Sequence, residues 1–134
     1  MALPDNNPKS KYGVLKPPLQ LVPPSANILM AMGFKDGADK YGPYNWRENS
    51  VAASIYIGAA KRHIDLWWDG EELAKDSGVH HIGHALACLG IIVDAKEGGN
   101  LIDDRPLPGP ASRLMDSLTM EDKHAPKTRK TKKT

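Results

Sequence analysis

The sequence predicts an all-α fold, a helical bundle completed by oligomerisation, with an extended N-terminal arm and a disordered basic C-terminal tail. Two long segments carry apolar residues at the spacing of one helical face, and no segment shows the alternation of apolar and polar residues that marks a strand. A length of 134 residues corresponds to one domain. Because two long helices form only a thin core, we expect a second copy of the chain to complete it.

The first 24 residues are expected to form an extended arm. They contain six prolines, at positions 4, 8, 17, 18, 23 and 24. Proline fixes φ and lacks a backbone donor, so this segment is predicted to be neither a helix nor a central strand. Four apolar residues of the arm are candidates for packing on the body: Leu15, Leu19, Leu21 and Val22.

A short helix is predicted directly after the arm, over about residues 26–35. Ser25 is its candidate N-cap, and the apolar residues that follow recur at helical spacing. Residues 36–49 hold two glycines and a proline, so they are predicted to form a loop.

Two longer helices are predicted to form the body. The first is capped by Asn49 or Ser50 and runs to about Trp68. The second is capped by Ser77, covers about residues 79–96 and ends at a pair of glycines. A 3.6-residue period supports both, through Ala52, Ile55, Ala59 and Leu66 in the first and Val79, Ile82, Leu86, Leu89 and Val93 in the second.

The C-terminal part is rich in proline and then strongly basic. A short turn is predicted over 113–118, followed by a tail whose last ten residues carry five positive charges and no acid: Lys127, Arg129, Lys130, Lys132 and Lys133. Removing these from the net charge of +2 leaves −3 for the rest. The chain therefore divides into an arm (1–24), an all-α domain (25–106) and an extension with a disordered tail (107–134).

Cysteine and hydropathy exclude several classes of protein. The single cysteine, Cys88, cannot form an intramolecular disulfide or a cysteine-rich zinc module, and its apolar surroundings indicate packing. No apolar stretch reaches the ~18–20 residues of a membrane span. The N-terminus lacks the apolar core of a signal peptide, so a cytoplasmic location is expected.

Acids and histidines concentrate where the two long helices meet. Four of the five histidines lie within residues 62–84, and the linker between the helices holds Glu71, Glu72 and Asp76. His81 and His84 are three residues apart, so they share a helical face with each other. Carboxylates with imidazoles suit Mg²⁺ or Mn²⁺, and we expect these five residues to bind metal, with the three acids as catalytic groups. The alternative is a solvated loop with helix-capping roles.

Two further groups of residues suit a nucleotide. Lys40, Arg62 and Arg105 carry cationic side chains that bind phosphate oxygens. Tyr41, Asn45 and Trp46 lie in a segment whose aromatic rings can stack on a base and whose amide can bind its edge. Trp46 and Tyr41 are alternatively anchors of this segment to the core. The acids Asp103 and Asp104 either add a metal site or cap their own loop.

An ordered series of motifs carries a resemblance to a known family. The series covers roughly residues 11–106. It consists of Lys11-Tyr12, Lys16-Pro17, Pro23-Pro24, Lys40-Tyr41-Gly42, Asn45-Trp46-Arg47, Arg62-His63, Trp67-Trp68-x-Gly70-Glu71-Glu72, Asp76-Ser77-Gly78-x-x-His81-x-x-His84-Ala85 and Asp103-Asp104-Arg105-Pro106. It resembles the phage dATP/dGTP diphosphohydrolase (MazZ-type) family, which belongs to the all-α, MazG-like nucleotide pyrophosphohydrolases. The superfamily's usual ExxE and ExxD metal motifs are replaced here by Glu71-Glu72 and by His81-x-x-His84.

The resemblance implies a reaction and a setting. MazG-like enzymes cleave a nucleoside triphosphate between its α and β phosphates, use two or three Mg²⁺ or Mn²⁺ ions, and assemble as homodimers or homotetramers. The MazZ branch acts on dATP and dGTP, which removes dATP and supplies dGMP in phages whose DNA contains 2-aminoadenine. The expected partners are therefore purine deoxynucleotides and further copies of the chain, with no membrane and no specific nucleic acid.

Two other functions remain as alternatives from the sequence. An HD-type phosphohydrolase that removes the whole triphosphate needs an adjacent His-Asp pair, and the chain contains no such dipeptide. A non-catalytic phage protein that binds nucleic acid or another partner through its basic tail is the second alternative. The negative charge of the rest of the chain and the polar cluster between the helices count against it.

Overall fold

Three long helices form the body of the protein in the computed structural model, which describes residues 2–121. The helices within these residues are α1 (Pro8–Gly13), α2 (Pro24–Tyr41), α3 (Asn45–Glu48), α4 (Ala53–Trp68), α5 (His81–Gly98) and α6 (Ala111–Leu118). Two very short strands, β1 (Val51–Ala52) and β2 (Leu101–Ile102), and a 3-10 turn (Leu19–Leu21) complete the described elements. The prediction of an all-α fold is confirmed.

Helix α5 is the centre of the body, because α2 and α4 both pack against it. At one end of the α4–α5 pair, His63 contacts His81 and His84. At the other end, β1, which precedes α4, pairs in parallel with β2, which follows α5. The two helices therefore run antiparallel, as the sequence predicted.

The core consists mainly of small side chains. Its fully buried members with the largest volume are His81 and Val51, and most other buried apolar residues are alanines. Where α2 crosses α5, a Cβ on Gly33 would lie 2.6 Å from the carbonyl oxygen of Gly83. The two backbones thus approach so closely that only glycine fits at the crossing.

Trp46 anchors the segment between α2 and α4 to the end of α5. The residue is 8% exposed, and its ring centroid lies 5.3 Å from that of Phe34. The indole Nε1–H donates to the carboxylate of Asp94 at 2.6 Å, and the Arg47 guanidinium donates to the same carboxylate at 2.9 and 3.1 Å. The Asn100 amide donates to the carbonyl oxygens of Trp46 and Arg47. Trp46 therefore anchors this segment to the core, and its predicted role in binding a base stays a prediction.

We expect the Asp94 carboxylate to make stability depend on acid. Hydrogen bonds from Arg47 and then Trp46 hold the pKa of Asp94 below its usual value. Such a group stabilises the fold above its unfolded pKa of about 3.9, and this contribution disappears as pH falls through the lower folded pKa. Asp94→Asn should therefore melt below wild type near neutral pH.

The measurement is the melting temperature from about pH 6 down to about pH 2, where protonation should bring the wild-type and Asp94→Asn curves together. Asp65→Asn, at an exposed position of α4, is the matched control and should follow wild type throughout. A constant gap between wild type and Asp94→Asn over this range would contradict the assignment.

The prediction of an arm without helix is wrong at two places, α1 and the 3-10 turn. Asn7 explains α1, because its side chain accepts from the Lys9 backbone N–H at 2.9 Å. Pro8 occupies the first helical position, where no backbone donor is needed. The arm's four apolar residues stay exposed, from 45% for Val22 to 80% for Leu15.

The first body helix is longer than predicted, so the prediction of a loop over residues 36–49 is also wrong. Helix α2 continues through Gly37 to Tyr41 and ends at Gly42, whose φ of 91° breaks the helix. Its N-cap position is Pro23, without a side-chain hydrogen bond, instead of Ser25. Helix α3 then forms within the remainder of the predicted loop.

The ends of the other helices differ by a few residues. Helix α4 begins at Ala53, after strand β1, and ends at Trp68 as predicted. His80, and not Ser77, caps α5, since its ring nitrogen accepts from the Ile82 backbone N–H at 3.0 Å. The turn predicted at 113–118 is the eight-residue helix α6. The predicted disordered tail, residues 125–134, lies outside the described residues.

None of the helices in residues 2–121 combines the length and the hydropathy that a membrane-spanning segment requires.

Candidate functional site

A cleft of about 230 Å³ opens between the three body helices, the segment around α3 and the α4–α5 linker. Six of the predicted site residues line it: Lys40, Tyr41, Asn45, Trp46, Asp76 and His84. They come from stretches of the chain that are far apart in sequence, and the fold brings them together. The remaining lining residues are Gly33, Phe34, Asp36, Gly37, Tyr56, His63, Ala87, Cys88 and Ile91.

The Lys40 ammonium group lies between two carboxylates at the polar end of the cleft. Its Nζ is 2.9 Å from Asp36 Oδ2, one turn earlier on α2, and 3.9 Å from Asp76 Oδ2 on the linker. The hydrogen bond with Asp36 raises the pKa of Lys40. The pKa of Asp76 is lowered, chiefly because the Ser77 backbone N–H donates to its carboxylate. A cation is thus held where α2 meets the linker.

Three histidine rings form a cluster beside this cation. His63 Nδ1 lies 2.8 Å from His81 Nδ1, and the rings of His63 and His84 stack with centroids 4.5 Å apart. His84 Nε2 lies 2.6 Å from the Ser77 hydroxyl oxygen. Burial is the main reason that the pKa values of His63 and His84 are lowered, so both rings favour the neutral form.

A chain of hydrogen bonds fixes the tautomers of two of these rings. Glu71 Oε1 lies 3.0 Å from His81 Nε2, so His81 Nε2–H donates to the carboxylate. An imidazole that donates through Nε2 accepts through Nδ1, so His63 Nδ1–H donates to His81 Nδ1. His63 Nε2 is left with its lone pair. This arrangement leaves His63, which lines the cleft, with a ring nitrogen that can accept a proton.

The opposite end of the cleft is apolar. Its walls are Phe34, Trp46, Ile91 and the ring of Tyr56, and all four belong to or pack against the small core cluster around Trp46. Desolvation raises the pKa of the Tyr56 hydroxyl, which keeps it neutral. The cleft therefore has a charged end and an end lined by apolar and aromatic side chains.

Several predicted site residues do not line the cleft. Glu72 pairs with His80, at 2.9 Å between Oε2 and Nε2, and its side chain is 70% exposed. Arg105 donates to the Asp103 carboxylate at 2.6 Å. The adjacent Asp104 carboxylate accepts hydrogen bonds from the backbone N–H and the hydroxyl of Ser54, at the start of α4. Arg62 is exposed on α4. The roles predicted for Glu72, Arg62 and Arg105 stay predictions.

Sequence reasoning did not assign Asp36, Tyr56 or His63 to the site. Asp36 and Lys40 are four residues apart, which is the signal of neighbours on one helical face, but this stretch was predicted to be a loop. His63 and Tyr56 are seven residues apart on α4, two helical turns. Only the pairing of α4 with α5 shows which side of α4 lines a cleft.

The part of the chain that forms the cleft matches a known family. The family model dATP/dGTP diphosphohydrolase, N-terminal, matches residues 6–105. The chain belongs to this family. The comparison of the chain with curated proteins and with solved structures found no match. The resemblance carried by the sequence motifs is confirmed, and the family name describes a hydrolase of dATP and dGTP.

The dATP/dGTP diphosphohydrolase family raises the question of a metal. Among residues 2–121, no group of three or more His, Cys, Asp or Glu side chains is placed to hold an ion. Magnesium, however, is commonly bound by one or two carboxylates together with substrate phosphates. Asp36 and Asp76 place two carboxylates on either side of the Lys40 ammonium group, and carboxylate oxygens are ligands that magnesium prefers. Of the five predicted ligands, Asp76 and His84 line the cleft, whereas Glu71, Glu72 and His81 do not.

Proposed function

We propose that the chain is a nucleotide pyrophosphohydrolase that converts dATP and dGTP to the monophosphate and pyrophosphate in this cleft. The observation that carries the proposal is the Lys40 ammonium at one end of a cleft whose other end is built from aromatic and aliphatic walls. A triphosphate needs the first end and a nucleobase the second. Family membership supports the same substrates.

Lys40 is the phosphate-binding residue of this proposal. In the structure its charge is balanced by Asp36 and Asp76, and its side chain is 46% exposed. A triphosphate carries more negative charge than either carboxylate and attracts the ammonium group toward itself. Lys40 then offsets the negative charge that develops on the phosphate oxygens during the reaction.

Mg²⁺ or Mn²⁺ is the proposed cofactor. Asp36 and Asp76 would hold it together with the phosphates of the substrate. When bound, such an ion neutralises phosphate charge and increases the acidity of water. The predicted number of two or three ions remains part of this proposal.

His63 is the proposed proton acceptor. Its Nε2 lone pair follows from the hydrogen-bond chain through His81 to Glu71. A water molecule attacks the α-phosphorus, the bond to the bridging oxygen breaks, and pyrophosphate leaves. The proton of the attacking water passes to His63 Nε2, and Glu71 stabilises the cation that forms along the histidine pair.

A homodimer or homotetramer is proposed for the assembled enzyme. Helix α5 is apolar on nearly all sides, which is typical of a helix in the interior of a bundle. In the single chain its outer face is nevertheless accessible, with Leu89 40% and Val93 64% exposed. Covering this face with a second copy would complete the thin core.

Product analysis tests the proposed reaction. We expect dATP and dGTP, with Mg²⁺ or Mn²⁺, to give the monophosphate and pyrophosphate in equal amounts, and EDTA to abolish both products. dCTP and dTTP are the matched controls and should be poor substrates. Tripolyphosphate as product would indicate removal of the whole triphosphate, and no turnover of any nucleotide with either metal would refute the proposal.

A further inference from the structure

We infer that the Tyr56 hydroxyl donates a hydrogen bond to N7 of the purine base, and that this contact selects purines over pyrimidines. The inference rests on the proposed function, because it names how that cleft recognises its substrate. Tyr56 is on α4 and lines the cleft together with Phe34 and Trp46.

The position of Tyr56 relative to His63 sets where the base lies. The two residues are seven apart on α4, so they share one face and are separated by about 10 Å along the helix axis. On α5, His84 and Ile91 have the same separation and line the same cleft. If the α-phosphate lies near the histidines, the sugar spans the middle and the base reaches Tyr56.

The surroundings of Tyr56 favour a flat apolar ligand with an acceptor atom. The Tyr56 ring packs against the core cluster that contains Trp46. Within residues 2–121 the Tyr56 hydroxyl makes no hydrogen bond that shifts its pKa. Desolvation raises this pKa, so the group remains a neutral O–H. A half-buried hydroxyl of this kind gains most from an acceptor that the ligand supplies.

Chemistry common to adenine and guanine identifies that acceptor. At position 6 adenine carries an amino donor and guanine a carbonyl acceptor, so a hydroxyl there would have to accept from one base and donate to the other. N7 is an acceptor in both bases, and pyrimidines have no such ring nitrogen. A hydrolase of both dATP and dGTP can bind both bases through one donor to N7, and Tyr56 offers such a donor at the apolar end.

The experiment combines one variant with one analogue. Tyr56→Phe keeps the ring and removes only the hydroxyl, and 7-deaza-dGTP replaces N7 by a C–H group. For wild type we expect kcat/KM to fall about tenfold with the analogue, mainly through KM, because one neutral hydrogen bond is lost. Tyr56→Phe should show the same fall with dGTP and no further fall with 7-deaza-dGTP.

Controls separate this inference from the proposed function. Tyr12→Phe, on α1 outside the cleft, is the matched control and should keep wild-type parameters with both nucleotides. Independent, additive losses from the variant and the analogue, or a Tyr56→Phe enzyme with unchanged kcat/KM, would overturn the inference while wild-type turnover of dGTP upholds the function. If Tyr56→Phe fails to fold, the wild-type response to 7-deaza-dGTP decides, and equal use of both nucleotides overturns the inference.

Discussion

Gly83→Ala is expected to lower the free energy of unfolding by about 2 kcal/mol and the melting temperature by about 8 °C. The added Cβ would collide with the carbonyl oxygen of Leu29 on α2. That neighbour is backbone and cannot rotate away, so the helices must separate at a cost of ~1–3 kcal/mol or more. Alanine favours the helix by only about 1 kcal/mol, so the collision dominates.

Two variants define the experiment on the helix crossing. Gly33→Ala alters the facing position, where the new Cβ would lie 2.6 Å from the Gly83 carbonyl oxygen, and should be comparably destabilised. Gly98→Ala changes a glycine of the same helix α5 that has no neighbour within 4 Å, so it should be neutral or slightly stabilised. The free energy of unfolding is measured by denaturant titration. Gly83→Ala as stable as Gly98→Ala would contradict the close crossing.

Hydrophobic periodicity was enough to predict α4 and α5, because apolar residues recur at helical spacing along most of each segment. It was not enough for α2, where the predicted helix stopped at residue 35. Gly37 and the charged residues around it resemble a loop in isolation, whereas in the structure α2 packs on α5 and continues to Tyr41. Tertiary contact here outweighs the low helix propensity of one glycine.

The candidate site was predicted in part because motifs identify residue types but not distances. Lys40 and Asp76 were assigned from their chemistry, and the fold brings them within 3.9 Å. The acids of the linker, by contrast, point in different directions: Glu71 contacts His81, Glu72 contacts His80, and Asp76 reaches the cleft. Adjacent residues of a linker face different ways, and only the folded structure shows which of them reaches the cleft.

Lys40→Gln is expected to lower kcat/KM for dGTP by about 10²-fold or more, which is the effect of removing one group that stabilises developing charge. The loss should not come from unfolding. The Lys40–Asp36 pair is a partly exposed i,i+4 pair, which contributes only about 0.3–0.5 kcal/mol to stability. The melting temperature should therefore move by about 2 °C at most.

A matched pair of variants distinguishes charge from packing in the Lys40 experiment. Lys40→Arg keeps the positive charge and should retain about a tenth of the wild-type kcat/KM or more, because the guanidinium also binds phosphate. Lys61→Gln removes an exposed lysine of α4 outside the cleft and should leave turnover unchanged. Steady-state kinetics with dGTP are compared with melting curves of all four proteins. If Lys40→Gln and Lys61→Gln have equal kcat/KM, the triphosphate does not bind at Lys40, because its charge would have no effect on the reaction.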